Sequence, residues 1–386
     1  MGNRISAIQR ALGAVWEESP EYFDDIDRDD FINRLDSFSP AIGWQEPIDK
    51  ATEEHHQAWE TVAKSSKMRD LADWGWVLFE QIFPPGHKLR RKIDALDPGD
   101  FLHINWYSKH QAVRVPWSLL HRHEPPSEGS PVDPLDFLGL RLRIAHKWHD
   151  PPGETSKALE SIPNESESPR ATRAHIFYWG SGGTAATAQE HLQDLEQWCT
   201  LPLPTGGENP KEQVCRFLKT PGPRPVALIY VYCKCSTGSA SGPNLLFGNT
   251  PEPANELSLA DLGTGCIEDH PLVFINACDT ASSHPFFDKN EIQERFFRRD
   301  CRAYVGSECK VPIKFAARFA VTFFHFLYLR PGDTPTPAGE ALTRARKFFW
   351  DEYRNIGGLF YSYVNDYDLF MAPDEDVAAL RRSAIV

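Results

Sequence analysis

The sequence predicts an α/β fold: a mostly parallel sheet flanked by helices, with a helical and small-strand region in front of it. Three observations carry this. The second half alternates strand-like and helix-like stretches. Its strand runs, such as PVALIYVYC at 225–233, are almost continuously apolar, as in strands covered on both faces. Polar or Gly-rich turns separate the runs, and a parallel pairing needs a crossover of the kind a helix supplies.

In chain order, residues 1–70 read as a helical extension. Ile5, Ile8, Leu12 and Val15–Trp16 recur at helical spacing, and 30–35 and 53–62 repeat the texture. His55 and His56 have no third ligand at metal spacing and read as solvent-facing. Residues 71–149 change character: an apolar helix at 74–83 stopped by Pro84–Pro85–Gly86, then FLHINWY (101–107) alternating like a strand. In VRVPWSLLH, Pro116 permits only an edge or the end of a strand, and 137–144 reads as a further strand. The Pro/Ser/Glu-rich segment 150–170 is the best linker in the chain. From 171 to 386 the core follows. Its strands are expected at 174–180, 225–233, 271–278 and 301–307, its helices at 188–199, 310–329 and 338–353, and a hairpin-like region at 245–258. The GSGG turn at 180–183 lacks the spacing of a nucleotide loop.

A formal net charge of −13 argues against a protein that works by neutralising nucleic-acid phosphates, and favours a basic partner. No run of 18 apolar residues is present, so no membrane span is expected, and 315–329 reads as a core helix. The polar N-terminus does not read as a secretory leader. MGNRIS fits the short myristoylation pattern, which matters only in a eukaryotic cytosol. All eight cysteines lie beyond residue 198 with no C-x-x-C among them, which reads as reduced thiols in a cytoplasmic protein, with no metal and no cofactor.

The segment LVFINACDTA (272–281) runs an apolar strand straight into Cys278. A thiol there is either a small buried hydrophobe or a nucleophile at a sheet edge. Chemistry in parallel sheets sits outside the carboxyl ends of the strands, and Cys233, Lys234 and Cys278 all occupy such ends.

NACDTA after its strand, then AYVGSECKVPIKFAARFAVTFFHFLYL and AGEALTRARKFF, resembles the CHAT family of caspase-like cysteine peptidases, relatives of caspases and separases. FLHINWYSKHQAVRVPWSLLH, FLGLRLRI and YDLFMAPD extend the resemblance over roughly residues 70–375. It implies a caspase-like sheet, with 71–149 as the N-terminal, pseudo-caspase-like part and 171–386 as the peptidase core. It also implies Cys278 as the nucleophile of an endopeptidase acting on a protein or peptide substrate. A regulatory protein or small-molecule activator is implied as well, and many bacterial members belong to defence or signalling systems.

The family's histidine base lies in a Cys-His-Gly-like element that here reads YVYCKCSTG, which puts Lys234 at the histidine position. No histidine stands between His191 and His270 to replace it. Cys235 occupies the site of a glycine whose N–H helps the oxyanion, and Asp279 is a candidate substrate-binding residue. His284 would have to fold back over its own strand end to act as base. A lysine, ordinarily near pKa ~10.4, helps a thiolate form by its charge, but it is a poor base and a poor acid for a departing amine. Three accounts follow: a peptidase altered at position 234, a naturally degenerate member that binds peptides or proteins, or a Lys234–Cys278 pair with other thiol chemistry.

Overall fold

Short polar side chains start the N-terminal helices by satisfying first-turn N–H groups. The computed structural model describes residues 2–24, 26–38, 50–107, 115–149, 170–171, 173–178, 185–196, 210–219, 226–236, 244–247, 255–258, 260–263, 267, 270–278, 292–328, 336–365 and 368–372. Its first helices are α1 (Gly2–Glu18), α2 (Pro20–Asp24), α3 (Arg28–Ser37), α4 (Glu53–Ala63), α5 (Ser66–Ile82) and α6 (Lys88–Asp94). Asp27 accepts from the Asp30 N–H and Ser65 from the Met68 N–H. His55 closes a reciprocal cap with Thr52 and lies edge-on to Tyr353. The pair read as solvent-facing is therefore half-buried, with His55 serving as a helix cap and a packing surface. Helix α5 starts eight residues before the expected Trp74 and runs through the 70/71 boundary.

Next come β1 (Phe101–Tyr107), the short helix α7 (Leu138–Arg141) and β2 (Arg143–His149), with β1 and β2 paired in parallel. The strand expected at 137–144 is thus half helix. Gly139 sits so close to Ser118 that an added Cβ would lie 2.5 Å from the Ser118 Cβ, and the turn of α7 provides that approach. Around Pro116 the chain forms a single helical turn, Trp117–Leu119, rather than an edge strand.

The remaining elements are β3 (Arg170–Ala171), β4 (Arg173–Tyr178), α8 (Ala185–Glu196), α9 (Pro210–Lys219), β5 (Val226–Tyr232), β6 (Lys234–Ser236), β7 (Asn244–Leu246), β8 (Glu256–Leu257), β9 (Leu272–Asn276), α10 (Ile292–Phe297), β10 (Ala303–Ser307), α11 (Ile313–Leu327), α12 (Ala338–Tyr353), β11 (Tyr361–Asn365) and β12 (Met371–Ala372). The main sheet has the order β11-β10-β9-β5-β4. All its neighbours are parallel except the edge pair β10–β11. Strands β6, β7 and β8 form a small antiparallel sheet of their own, and β12 pairs with β3. The expected mostly parallel, helix-flanked α/β sheet is what is observed. The linker read at 150–170 lies outside the described residues except for Arg170, which opens β3, and the GSGG turn, Asp279 and His284 also lie outside them.

Each face of the sheet has its own core. Leu228, Tyr230, Tyr232, Leu272 and Phe274 pack with α8, α11 and α12, while Ile229, Val231, Val273 and Ile275 pack with α9 and α10. This is why the central strands read as continuous apolar runs. The N-terminal helices join the first core through aromatic side chains. Phe23 lies against Phe315 and Phe360, Phe31 against Phe348 and Phe349, and Phe38 against Phe326 and Phe348. Burying each such ring is worth about 1.5–3 kcal/mol.

Candidate functional site: the ends of the central strands

The last pair of the β5–β9 ladder is Tyr232 opposite Asn276. Beyond it both chains leave the sheet, and one step on stand Cys233 and Ala277, two steps on Lys234 and Cys278. The register therefore sets Lys234 and Cys278 at matching positions past the carboxyl ends of two neighbouring central strands. Cys278 is half-buried in a turn, and Lys234 is exposed as the first residue of β6, opposite Leu246 of β7. Cys235 follows within that ladder, opposite Leu245, and is half-buried beside the α9 side of the core.

Two anchors hold the turn that carries Cys278. The Ser307 hydroxyl, at the end of β10, donates to the Ala277 carbonyl at 2.5 Å. Asn276 is the one polar side chain in the run LVFIN, and it is buried. Its amide N–H groups donate to the Tyr230 hydroxyl at 2.8 Å and the Ala316 carbonyl at 2.9 Å, and its amide oxygen accepts from the Tyr361 hydroxyl at 2.7 Å. The Tyr230 hydroxyl in turn lies 2.7 Å from Nε2 of His191, on α8. With Asn276 donating to Tyr230, the Tyr230 O–H is left to donate to His191, so the chain runs Tyr361 to Asn276 to Tyr230 to a neutral His191. A buried amide at such a place must be hydrogen-bonded, and that was the signal in the sequence. Its partners, 46 and 85 residues away, were not legible there.

Electrostatics mark the same neighbourhood. Burial, and then the nearby Asp24, Cys278 and Cys233, hold the Tyr232 phenol well above its ordinary range. Burial, and then Tyr230, Tyr232, Cys278 and Cys309, do the same to Tyr361. Burial, and then Cys278, push the Cys233 thiol up, partly offset by a hydrogen bond from the Leu246 backbone. A thiolate at Cys278 would thus lie among groups that keep their protons. His191 is not an available base: burial, and then Arg318, press its pKa down to about 3, and its Nε2 is taken by Tyr230. His270 stands at the opposite, amino end of β9, bonded to the Asp300 carbonyl at 2.8 Å.

The floor of the site is the amino end of α11. Pro312 offers no capping side chain there, and Asp24 of α2 supplies the acceptor, taking the Phe315 N–H at 3.1 Å. Burial pushes the Asp24 carboxyl up, against the pull of that N–H and of Lys314. The Tyr232 hydroxyl donates to the Ile313 carbonyl of the same turn at 3.2 Å. Lys310, just ahead, lies 3.9 Å from Glu17, and the Gln9 amide donates to the buried Glu308 at 2.9 Å. The N-terminal helices therefore grip the β10–α11 segment bordering the cysteine.

No protein-family model matches the chain, and no curated protein matches it by sequence. Among solved structures it is similar to the Arg-specific cysteine proteinase gingipain R, with a TM-score of 0.44 and 11% identity over 82% of this chain and 68% of that one. It is also similar to the complex of the pro- and mature domains of RgpB from Porphyromonas gingivalis, with a TM-score of 0.42 and 11% identity over 92% of this chain and 77% of that one. At those scores the likeness carries no conclusion by itself, and the site rests on its own geometry. Among the described residues, no helix is long and apolar enough to cross a membrane, and no group of three or more His, Cys, Asp or Glu side chains is arranged to hold a metal ion.

Proposed function

We propose that the chain is a caspase-like cysteine endopeptidase of the CHAT type, with Cys278 as nucleophile and Lys234 at the place of the histidine base. The observation that carries the reading is the position of Cys278, half-exposed past the carboxyl end of a central parallel strand in a turn pinned by Asn276 and Ser307. Attack by its sulfur on a peptide carbonyl would form the acyl-enzyme and release an amine that needs a proton. The backbone N–H of Cys235 is the candidate oxyanion donor, and Asp279 a candidate contact to substrate. Lys234 lies at the matching register position, where its ammonium favours a thiolate but serves poorly as base and acid. Loss of acid–base help of this kind costs about 10²- to 10⁴-fold, so this form turns over slowly. With a net charge of −13, a basic residue before the scissile bond is the better-matched substrate. The family resemblance supports control by a partner protein or small ligand in a bacterial defence or signalling setting, and the reduced-thiol reading of the cysteines supports a cytoplasmic one.

The exposed lysine favours a second reading, in which the same fold binds a peptide or protein without cleaving it. Cleavage of basic peptide libraries by the chain, by Lys234→His and by Cys278→Ala separates the two. Activity in Lys234→His that Cys278→Ala lacks supports the peptidase. Silence of every form, candidate partners included, leaves the binding module.

A further inference from the structure

Cys233 and Cys278 are both half-buried thiols at the ends of adjacent strands, one and two residues past the same ladder pair. Ladder spacing carried on past that pair, with neighbouring strands about 4.8 Å apart and each residue advancing about 3.3 Å, would set the two Cα atoms about 5.8 Å apart. Disulfides span Cα separations of roughly 4.4–6.8 Å. Cys278 lies in a turn rather than in the ladder, and the two sulfurs are near enough for charge on Cys278 to act on the Cys233 thiol. Of the other four described cysteines, Cys301 and Cys309 are buried, the Cys215 thiol is turned to the Asp261 carbonyl at 3.9 Å, and Cys235 is held in the β6–β7 ladder opposite Leu245.

We propose that Cys233 is a resolving cysteine for Cys278, and that a hydroperoxide converts the two thiols into a reversible disulfide that caps the site. The Cys278 thiolate attacks the peroxide: an S–O bond forms, the O–O bond breaks, and the leaving alkoxide or hydroxide takes from solvent the proton the thiol had released and departs as alcohol or water. The Cys233 sulfur then attacks the Cys278 sulfur. The S–S bond forms, the S–O bond breaks, and hydroxide leaves as water with the Cys233 proton. Two thiols lose two electrons and the peroxide gains them. The neighbouring Cys278 charge is one of the two causes holding Cys233 protonated, and the first step removes it because a sulfenic acid is neutral. Oxidation at Cys278 thus prepares Cys233 to close the bridge.

Only the effect on turnover rests on the nucleophile reading; the bridge itself does not. The test treats the full chain with hydrogen peroxide, blocks remaining thiols and maps linkages by mass spectrometry. The expected result is a peptide pair joined through Cys233 and Cys278, a thiol count in denaturant that falls by two from the chain's eight, and full reversal by dithiothreitol. In Cys233→Ser the same treatment should drive Cys278 on to sulfinic and sulfonic acid, while Cys235→Ser should bridge as before. Over-oxidation of Cys278 in the unaltered chain, or a bridge to Cys235 instead, would overturn the proposal. Because the readout is a mass on the unaltered chain, its failure is distinct from failure to cleave peptides.

Discussion

Replacing His191 removes the one buried imidazole in the hydrogen-bonded chain beneath Cys278, and with it a dependence of stability on pH. In the native state its pKa is pressed down to about 3 by burial and by Arg318. In the unfolded chain it returns to about 6.5. Between these values the unfolded state binds the proton and the native state does not, so stability falls as pH falls. The contribution is intact above about pH 6.5, fades below it, and levels off near the native value. From pH 7 to pH 5 the loss comes to about 2 kcal/mol, and the limit toward pH 3 is about 5 kcal/mol. The geometry gives the reason: a proton on Nε2 would face the hydrogen of the Tyr230 hydroxyl, whose oxygen already accepts from Asn276. Urea unfolding at pH 7 and pH 5 compares the unaltered chain with His191→Gln, which keeps a side-chain acceptor for Tyr230 but does not titrate. Carboxylates common to both proteins cancel in the comparison. The unaltered chain should lose about 2 kcal/mol more than the variant. Equal losses within about 0.5 kcal/mol would mean that His191 takes up a proton without breaking the chain, and would refute the argument.

Three further outcomes follow from the same site. Asn276→Ala leaves the Tyr361 hydroxyl without its acceptor and strips the side-chain tie to α11, so urea unfolding should show a loss of about 2–4 kcal/mol; a loss under about 1 kcal/mol would show that water or a neighbour replaces the amide. Asp24→Ala removes the cap of α11 and should cost about 0.5–2 kcal/mol, whereas Asp24→Asn keeps the acceptor and sheds the buried charge, so its unfolding midpoint should match or exceed that of the unaltered chain. Lys234→Ala, at an exposed position, should leave stability within about 0.5 kcal/mol while slowing alkylation of Cys278 by iodoacetamide; an unchanged alkylation rate would detach the lysine from the thiol.

What the sequence disclosed, and what it withheld, follows from the range of the interactions involved. The strands around Tyr230, Phe274 and Val305 are buried on both faces, so their residues had to be apolar in unbroken runs and were legible as such. Helix α12 was bounded correctly at Ala338 and Tyr353 because its apolar stripe recurs at helical spacing between a proline and a left-handed Arg354. Strand β11, YSYVN, was passed over: it is short, follows a Gly-Gly turn, and owes its strand state to antiparallel pairing with β10. The 137–144 segment went astray because close packing of Gly139 on Ser118 outweighed local strand preference. Cys278 could be singled out, since a strand end is a local feature. Its setting could not, because Tyr361, Ser307 and Asp24 reach it from separate parts of the chain and look ordinary where they stand.

The cap that Asp24 places on α11 also bears on the order in which the molecule comes together. The acceptor and its N–H are separated by 291 residues, about three quarters of the chain's length. Contacts of such long range close late, because the chain entropy lost in joining distant segments must be offset by structure already formed. The parallel sheet can therefore assemble, and Cys278 can arrive at its strand end, while the first turn of α11 still lacks its acceptor. The final setting of the thiol therefore depends on the N-terminal helices being docked on the sheet.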